Sequence, residues 1–156
     1  NEAALETLEM AAQSHREPLI VREAARAALA LGRLDKAAEH LQTAIDQNPS
    51  DAEARFMFGL VRDRQGQPEA ALTFYRQASR VSPNEGRYLA AAADALHATG
   101  KERESLEAMQ EAIALSPDSG EVQQRAGELF LRAGLTTEAL EAFQHSVAAR
   151  PRDPRA

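Results

Sequence analysis

The side chains able to do acid–base or metal chemistry are few and scattered in this sequence. Its four histidines, His15, His40, His97 and His145, lie far apart, and there is no cysteine to serve as thiol nucleophile, zinc ligand or disulfide. The patterns H-E-x-x-H, G-x-x-x-x-G-K-[ST], G-x-G-x-x-G and G-x-S-x-G do not occur, so no zinc-protease helix, phosphate loop, dinucleotide turn or hydrolase elbow is written in recognisable form. Asp94 and His97 stand three apart, on one face of a helix if they share one. Two ligands hold a metal only with outside help, and a solvated pair is the plainer reading. Carboxylate pairs such as Glu107/Glu111 and Glu138/Glu141 have the spacing of ordinary helix-surface charge. The expectation is no enzyme, no cofactor and no metal.

What remains is polar surface, and attention passes to the elements that carry it. A chain of 156 residues suits one domain with a real core. Lys and Arg number 18 against 24 Asp and Glu, a formal charge of −6, without the basic excess of a general nucleic-acid binder. Hydrophobic residues make up 44% but aromatics only 4%, with no Trp, so alanine must supply much of the apolar surface. No apolar run approaches the roughly 20 residues of a membrane helix, and no membrane insertion is expected. The start, Asn1-Glu2-Ala3-Ala4, has neither the basic nor the apolar segment of a signal peptide and lacks Met, which predicts an excised piece of a longer chain. The alanine-rich, cysteine-free composition suits a bacterial source; compartment is not legible.

Prolines and glycines supply the organisation. Pro49, Pro83, Pro117 and Pro151 are 34 apart, and so are Gly32, Gly66, Gly100 and Gly134. With the spaced proline in slot 32 of a 34-residue unit, all eight glycines fall in slots 15, 8 and 1. Slots 2–14 and 18–31 carry Ala, Leu, Ile and Phe at three- and four-residue spacings, the mark of two amphipathic helices. Glycine in slot 15 follows the first helix, where a left-handed cap favours it. Proline in slot 32 stops the second. Ser50-Asp51 and Asp118-Ser119 then offer side-chain oxygens to the next helix start. No stretch alternates with period two, so the fold class is all-α.

Small residues recur in slots 8 (Ala25, Gly59, Ala93, Gly127), 20 (Ala37, Ala71, Ser105, Ala139) and 27 (Ala44, Ala78, Ala112, Ser146), which predicts close helix approach there. Larger side chains fill around them from slot 24 (Leu41, Tyr75, Met109, Phe143) and slot 21 (Leu72, Leu106, Leu140).

This arrangement resembles the tetratricopeptide repeat, with its pattern W-x2-L-G-x2-Y, A-x3-F and P. The second unit has Phe58-Gly59, Ala71-x3-Tyr75 and Pro83; the fourth has Ala126-Gly127-x2-Phe130, Ala139-x3-Phe143 and Pro151. Slot 4 departs from the pattern with Val21, Arg55, Leu89 and Gln123 in place of Trp, and Arg62 in slot 11 predicts weaker packing of the second unit's first helix. On this resemblance residues 1–156 form a single domain. A truncated second helix at 1–17 precedes full repeats at 18–51, 52–85, 86–119 and 120–153, and 154–156 begin a cut-off next repeat. The implied architecture is a right-handed α-solenoid of stacked antiparallel helix pairs, the first helices lining a concave groove. Neither end shows a polar cap, and Leu140, Phe143 and Val147 would lack a following helix, so self-association through the ends is expected.

The resemblance turns slots 2, 5, 6, 9, 12 and 13 toward the groove. Its candidate partner-binding residues are Arg22, Arg26, Phe56, Met57, Leu60, Arg64, Arg87, Asp94, His97, Gln124, Arg125 and Glu128. Phe56, Met57 and Leu60 read as an exposed apolar anchor with arginines at its rim; the alternative has Phe56 and Met57 packing against neighbouring first helices. The family's carboxylate clamp would need asparagines where Arg26 and Met57 stand and an arginine where Ala91 stands, with only Arg22 and Arg87 keeping charge. An asparagine ladder is absent too, slot 6 holding Glu23, Met57, Ala91 and Arg125. The expected function is a non-catalytic scaffold holding a peptide or helix of another protein in the groove. The alternatives are a spacer or self-assembling array within a larger, bacterial envelope or secretion protein, and an arm of an enzyme whose catalytic domain lies elsewhere.

Overall fold

The computed structural model describes residues 2–15 and 17–149, without the side chains of residues 13–15. Among these, every regular element is an α-helix: α1 (Glu2–His15), α2 (Pro18–Ala30), α3 (Leu34–Gln47), α4 (Ala52–Arg64), α5 (Pro68–Val81), α6 (Gly86–Ala98), α7 (Glu102–Leu115), α8 (Gly120–Arg132) and α9 (Thr136–Ala148). The expected lone helix, helix pairs and 34-residue rhythm are all present, each paired helix starting one residue earlier than the slots suggest. Pro68, outside the proline slots, is the first residue of α5, where its missing N–H costs nothing. The Pro151 stop, the His15 side chain and the segment 154–156 lie outside the described residues.

Local chemistry sets the helix ends. Gly32, Gly66, Gly100 and Gly134 all have positive φ, from 71° to 78°. After each, the next N–H returns to a carbonyl five residues back, as in Arg33 N–H to Ala28 O at 2.8 Å and Lys101 N–H to Leu96 O at 2.9 Å. Each first helix therefore ends in a Schellman turn that satisfies its last carbonyls. At the other end, Asp51 Oδ1 accepts from the Ala54 N–H at 2.9 Å and Ser119 Oγ from the Val122 N–H at 3.3 Å. Glu17 and Glu85 make no such bond.

The helices divide into two compact units between Val81 and Ser82. In the first, α2 pairs with α3 and α4 with α5, α3 also packs on α4, and α1 lies on α2. Its core gathers Leu5, Val21, Ala25, Leu41, Ala44, Met57, Phe58 and Val61. In the second, α6 pairs with α7 and α8 with α9, and α6 and α7 both touch α8. Met109, Ala112, Val122, Ala126, Leu129 and Phe130 form its centre.

The small-residue slots are seams. Ala25, Ala37, Ala44, Ala71, Ala78, Ala93 and Ala112 have no exposed surface, and Ala139 is 2% exposed. Gly59 and Gly127 face aromatic rings: a Cβ on Gly127 would lie 2.6 Å from Phe143 Cε1, and one on Gly59 would run into Tyr75. Slots 8 and 24 are thus size-matched, Gly with Tyr75 or Phe143, Ala with Leu41 or Met109. The two serines in seam slots stay bonded: Ser105 Oγ donates to Ala93 O at 2.7 Å and Ser146 Oγ to Gly120 O at 2.9 Å. Arg62 does not leave a hole in its aromatic slot. Its guanidinium sits 5.0 Å from the centre of the Phe58 ring, which stacks on Phe74 at 4.4 Å. Arg55, in the Trp slot, fits less well: its Nη1 is buried without a hydrogen bond.

Candidate functional site

In each unit the first helices touch, α2 with α4 and α6 with α8, and each pairs with its own second helix. Slots 2, 9 and 13 are exposed or partly exposed in all four repeats and form the first-helix face, whereas slot 5 is buried at Phe56 and Ala90.

The apolar anchor is not there. Phe56 is 5% exposed and Met57 3%, Met57 belongs to the first unit's core, and Leu60 is half-buried against it. Phe56 lies 5.7 Å from the Tyr75 ring. The alternative reading of these two as packing residues is the one the burial supports. The physical reason is that α4 is an interior helix with neighbours on several sides, and Ala52, Ala54, Phe58 and Val61 are buried on it as well.

The rim arginines are also largely engaged. Arg22 Nη1 bonds Asp51 Oδ2 at 2.7 Å, joining α2 to the residue that caps α4. Arg26, half-exposed, lies 3.6 Å from both Glu23 and Glu53. Arg64 Nη1 donates to Leu29 O at 2.6 Å, closing one of the last carbonyls of α2. In the second unit Asp94 accepts from two arginines of α8, Arg125 at 3.0 Å and Arg132 at 2.6 Å, and Arg125 also approaches Glu121 at 3.5 Å. Arg87 lies 3.3 Å from Glu85 and over the Tyr88 ring.

His97 does not pair with Asp94. Its Nδ1 is 2.7 Å from Glu102 Oε2, across the turn into α7. Among the described residues no group of three or more His, Asp or Glu is placed to hold a metal, and no helix is long and apolar enough to cross a membrane. Gln124 Nε2 donates to Glu128 Oε1 at 3.1 Å, one turn along the exposed side of α8. These two and Arg125, with Glu121, Gly120, Ser146 and Ala149, line an open cavity of about 580 Å³.

The structure thus brings Gln124, Arg125 and Glu128 together at one cavity, ties Asp94 to Arg125, and disperses the rest. Sequence reasoning overlooked Asp51 as the buried partner of Arg22. It was legible only as a cap; its second role depends on Arg22, 29 positions away, reaching it across two helices.

The tetratricopeptide repeat profile matches three overlapping stretches, residues 22–85, 56–120 and 90–154. The chain belongs to the tetratricopeptide repeat family. Solved structures agree on the fold. The thermophilic TPR protein TTC0263 of Thermus thermophilus superposes with a TM-score of 0.83 at 24% identity, covering 97% of this chain and 84% of that one. A MamA crystal structure gives 0.77 at 16% identity, with 95% and 87% covered. MamA 41-end from Desulfovibrio magneticus RS-1 gives 0.76 at 22%, with 95% and 84% covered. Comparison with curated proteins gives no match.

Proposed function

We infer that this chain is a non-catalytic interaction scaffold that holds a peptide or helix of another protein against the first-helix face. The carrying observation is the cavity of about 580 Å³ between α8 and the end of α9, in the size range of ligand sites, which Gln124, Arg125 and Glu128 line at the edge of that face. Its lining includes Glu121 and Glu128, while Arg125 is already held by Asp94 and Glu121, so the partner segment it suits offers an arginine or lysine toward Glu128. The organisation behind it is four repeats, 18–51, 52–85, 86–119 and 120–153, within one domain spanning 1–156.

A random-peptide display library supplies the probe. Peptides selected on the wild-type chain should lose affinity about tenfold or more, about 1.4 kcal/mol, for the Gln124→Ala/Glu128→Arg variant. They should keep it for Arg103→Glu, an exposed change on α7. If no peptide is selected, or if both variants bind like wild type, the reading fails.

A further inference from the structure

The two units fill the space beside their later first helix differently. In the first unit it is closed from within: Phe74 of α5 stacks on Phe58 of α4 at 4.4 Å, and the Arg62 guanidinium lies 5.0 Å from the centre of the Phe58 ring. The residues that stand in these positions two repeats later are Ala142, Ala126 and Phe130. Both rings of the stack are thus alanine in the second unit, and a cleft of about 210 Å³ opens there between α7, α8 and α9. Ile113, Phe130 and Ala142 give it an apolar wall, into which Gln123, only 4% exposed, is set. Gln123 Nε2 donates to Pro117 O at 2.8 Å, so the amide nitrogen is the end that meets this carbonyl. Its Oε1 is left as an acceptor without a partner among the described residues. Glu138, Glu141 and His145 form the rim, one stripe of α9. Both carboxylates are exposed and have no ion pair among the described residues.

We propose that this cleft receives an arginine side chain of a partner protein. Arginine brings an apolar stem for the Ile113–Ala142 wall, a planar guanidinium for the Phe130 ring, and donors enough to serve Gln123 Oε1 and a rim carboxylate together. Comparison of the units supports that choice. Where the first unit has Ala70 and Thr73, the second has Glu138 and Glu141, and where it has Arg55 and Arg62 the second has Gln123 and Phe130. The second unit therefore holds a ring and acceptors but supplies no guanidinium: no Lys or Arg lines the cleft. A neighbouring cavity of about 270 Å³ shares His145 and adds Asp118, again without Lys or Arg, so positive charge beside the arginine is favoured too. The rim stripe lies on the side of α9 turned away from Leu140 and Val147, and a helix packed on those two would leave it open. None of its residues lines the cavity of Gln124 and Glu128, so the two sites stand or fail separately.

Titration with N-acetylarginine amide, followed by nuclear magnetic resonance, tests it. The Gln123 side-chain amide and the Ala142 and His145 backbone amides of the wild-type chain should shift saturably. The lysine counterpart should bind more weakly, and the neutral citrulline counterpart should give no saturable shift. Glu138→Gln/Glu141→Gln should lower affinity about fivefold or more. Glu39→Gln/Glu69→Gln removes the same charge from exposed positions of the first unit and should bind like wild type. Ala142→Phe restores the ring that Phe74 supplies in the first unit and should abolish binding. Circular dichroism and melting curves matching wild type show that it folds; if it does not, Ala142→Leu replaces it. The proposal is overturned if wild type gives no saturable shift at these positions, or if the response is confined to Gln124 and Glu128. It is equally overturned if lysine or citrulline binds as well as arginine, or if the rim variant or the filled-cleft variant binds like wild type.

Discussion

At the scale of single residues, the seams decide what is tolerated. Gly59 and Gly127 leave room for the rings of Tyr75 and Phe143 and no more. Alanine at either position gains about 1 kcal/mol of helix propensity, yet forces the ring to move. The expected net cost is about 1–3 kcal/mol, the range for overpacking. Urea titration of Gly59→Ala should show that loss, and Gly59→Ala/Tyr75→Leu should recover part of it, because the pair then resembles Ala25 with Leu41. Additive single-mutant effects would contradict the size matching. Ala71→Leu enters a seam with no exposed surface and should cost a comparable amount. Arg55 is the opposite case: its buried Nη1 has no partner, so Arg55→Leu should raise the urea midpoint, worth about 1 kcal/mol.

At the scale of helices, stability depends on how one element is tied to the next. Asp51 does two jobs, capping α4 and receiving Arg22. Asp51→Ala should therefore cost more than the ~1 kcal/mol of a lost cap, whereas Asp51→Ser keeps the cap and loses only the ion pair; thermal melts of the two variants separate the contributions. Helix α1 is clasped by Glu2 to Arg33 at 2.6 Å and by Glu9 to Lys36 at 2.9 Å, with His40 3.5 Å from Glu9. The hydrogen bond from Lys36 holds the Glu9 carboxyl below the ordinary carboxylate value against the opposing effect of burial, with a lesser contribution from His40. A lowered folded-state value stabilises at pH above the unfolded one and is lost as pH falls through the folded one. The protection factors of the α1 amides, measured against the intrinsic exchange rate at each pH, should fall in that acid window. In Glu9→Gln protection should be lower already at neutral pH and change less on acidification. The pair is partly exposed, so the effect is a few tenths of a kcal/mol to about 1.

At the scale of the whole molecule, a longer rhythm overlies the 34-residue one. Alternate repeats carry Ala or Gly in slot 8, aliphatic or aromatic in slot 24, and Ala or Arg in slot 13 (Ala30, Arg64, Ala98, Arg132). Among the described first helices, those of the Gly-bearing repeats alone have an N-cap side chain bonded to the helix, at Asp51 and Ser119. Each compact unit holds one repeat of each kind, and in both the slot-13 arginine reaches back to the earlier first helix, Arg64 to Leu29 and Arg132 to Asp94. Peptide capture at Glu128 should weaken as salt is raised, because its charge is screened over about 8–10 Å at ordinary ionic strength. Peptide-binding titrations at low and high salt check it.

The period, the helix ends and the seams were readable from residue types alone. They arise from effects acting within a few residues: positive φ at Gly100, the missing N–H of Pro83, and the small volume of Ala71 repeated every 34 positions. The character of the first-helix face was not. Phe56 and Met57 are apolar on any reading, and whether they bind a partner or fill the core depends on how many helices surround α4. Arg22 and Arg125 were identifiable as groove cations, but their engagement with Asp51 and Asp94 requires packing that brings side-chain atoms of residues 29 and 31 positions apart within about 3 Å. Burial and ion pairing are properties of what lies opposite a side chain, and only the folded chain determines that neighbour.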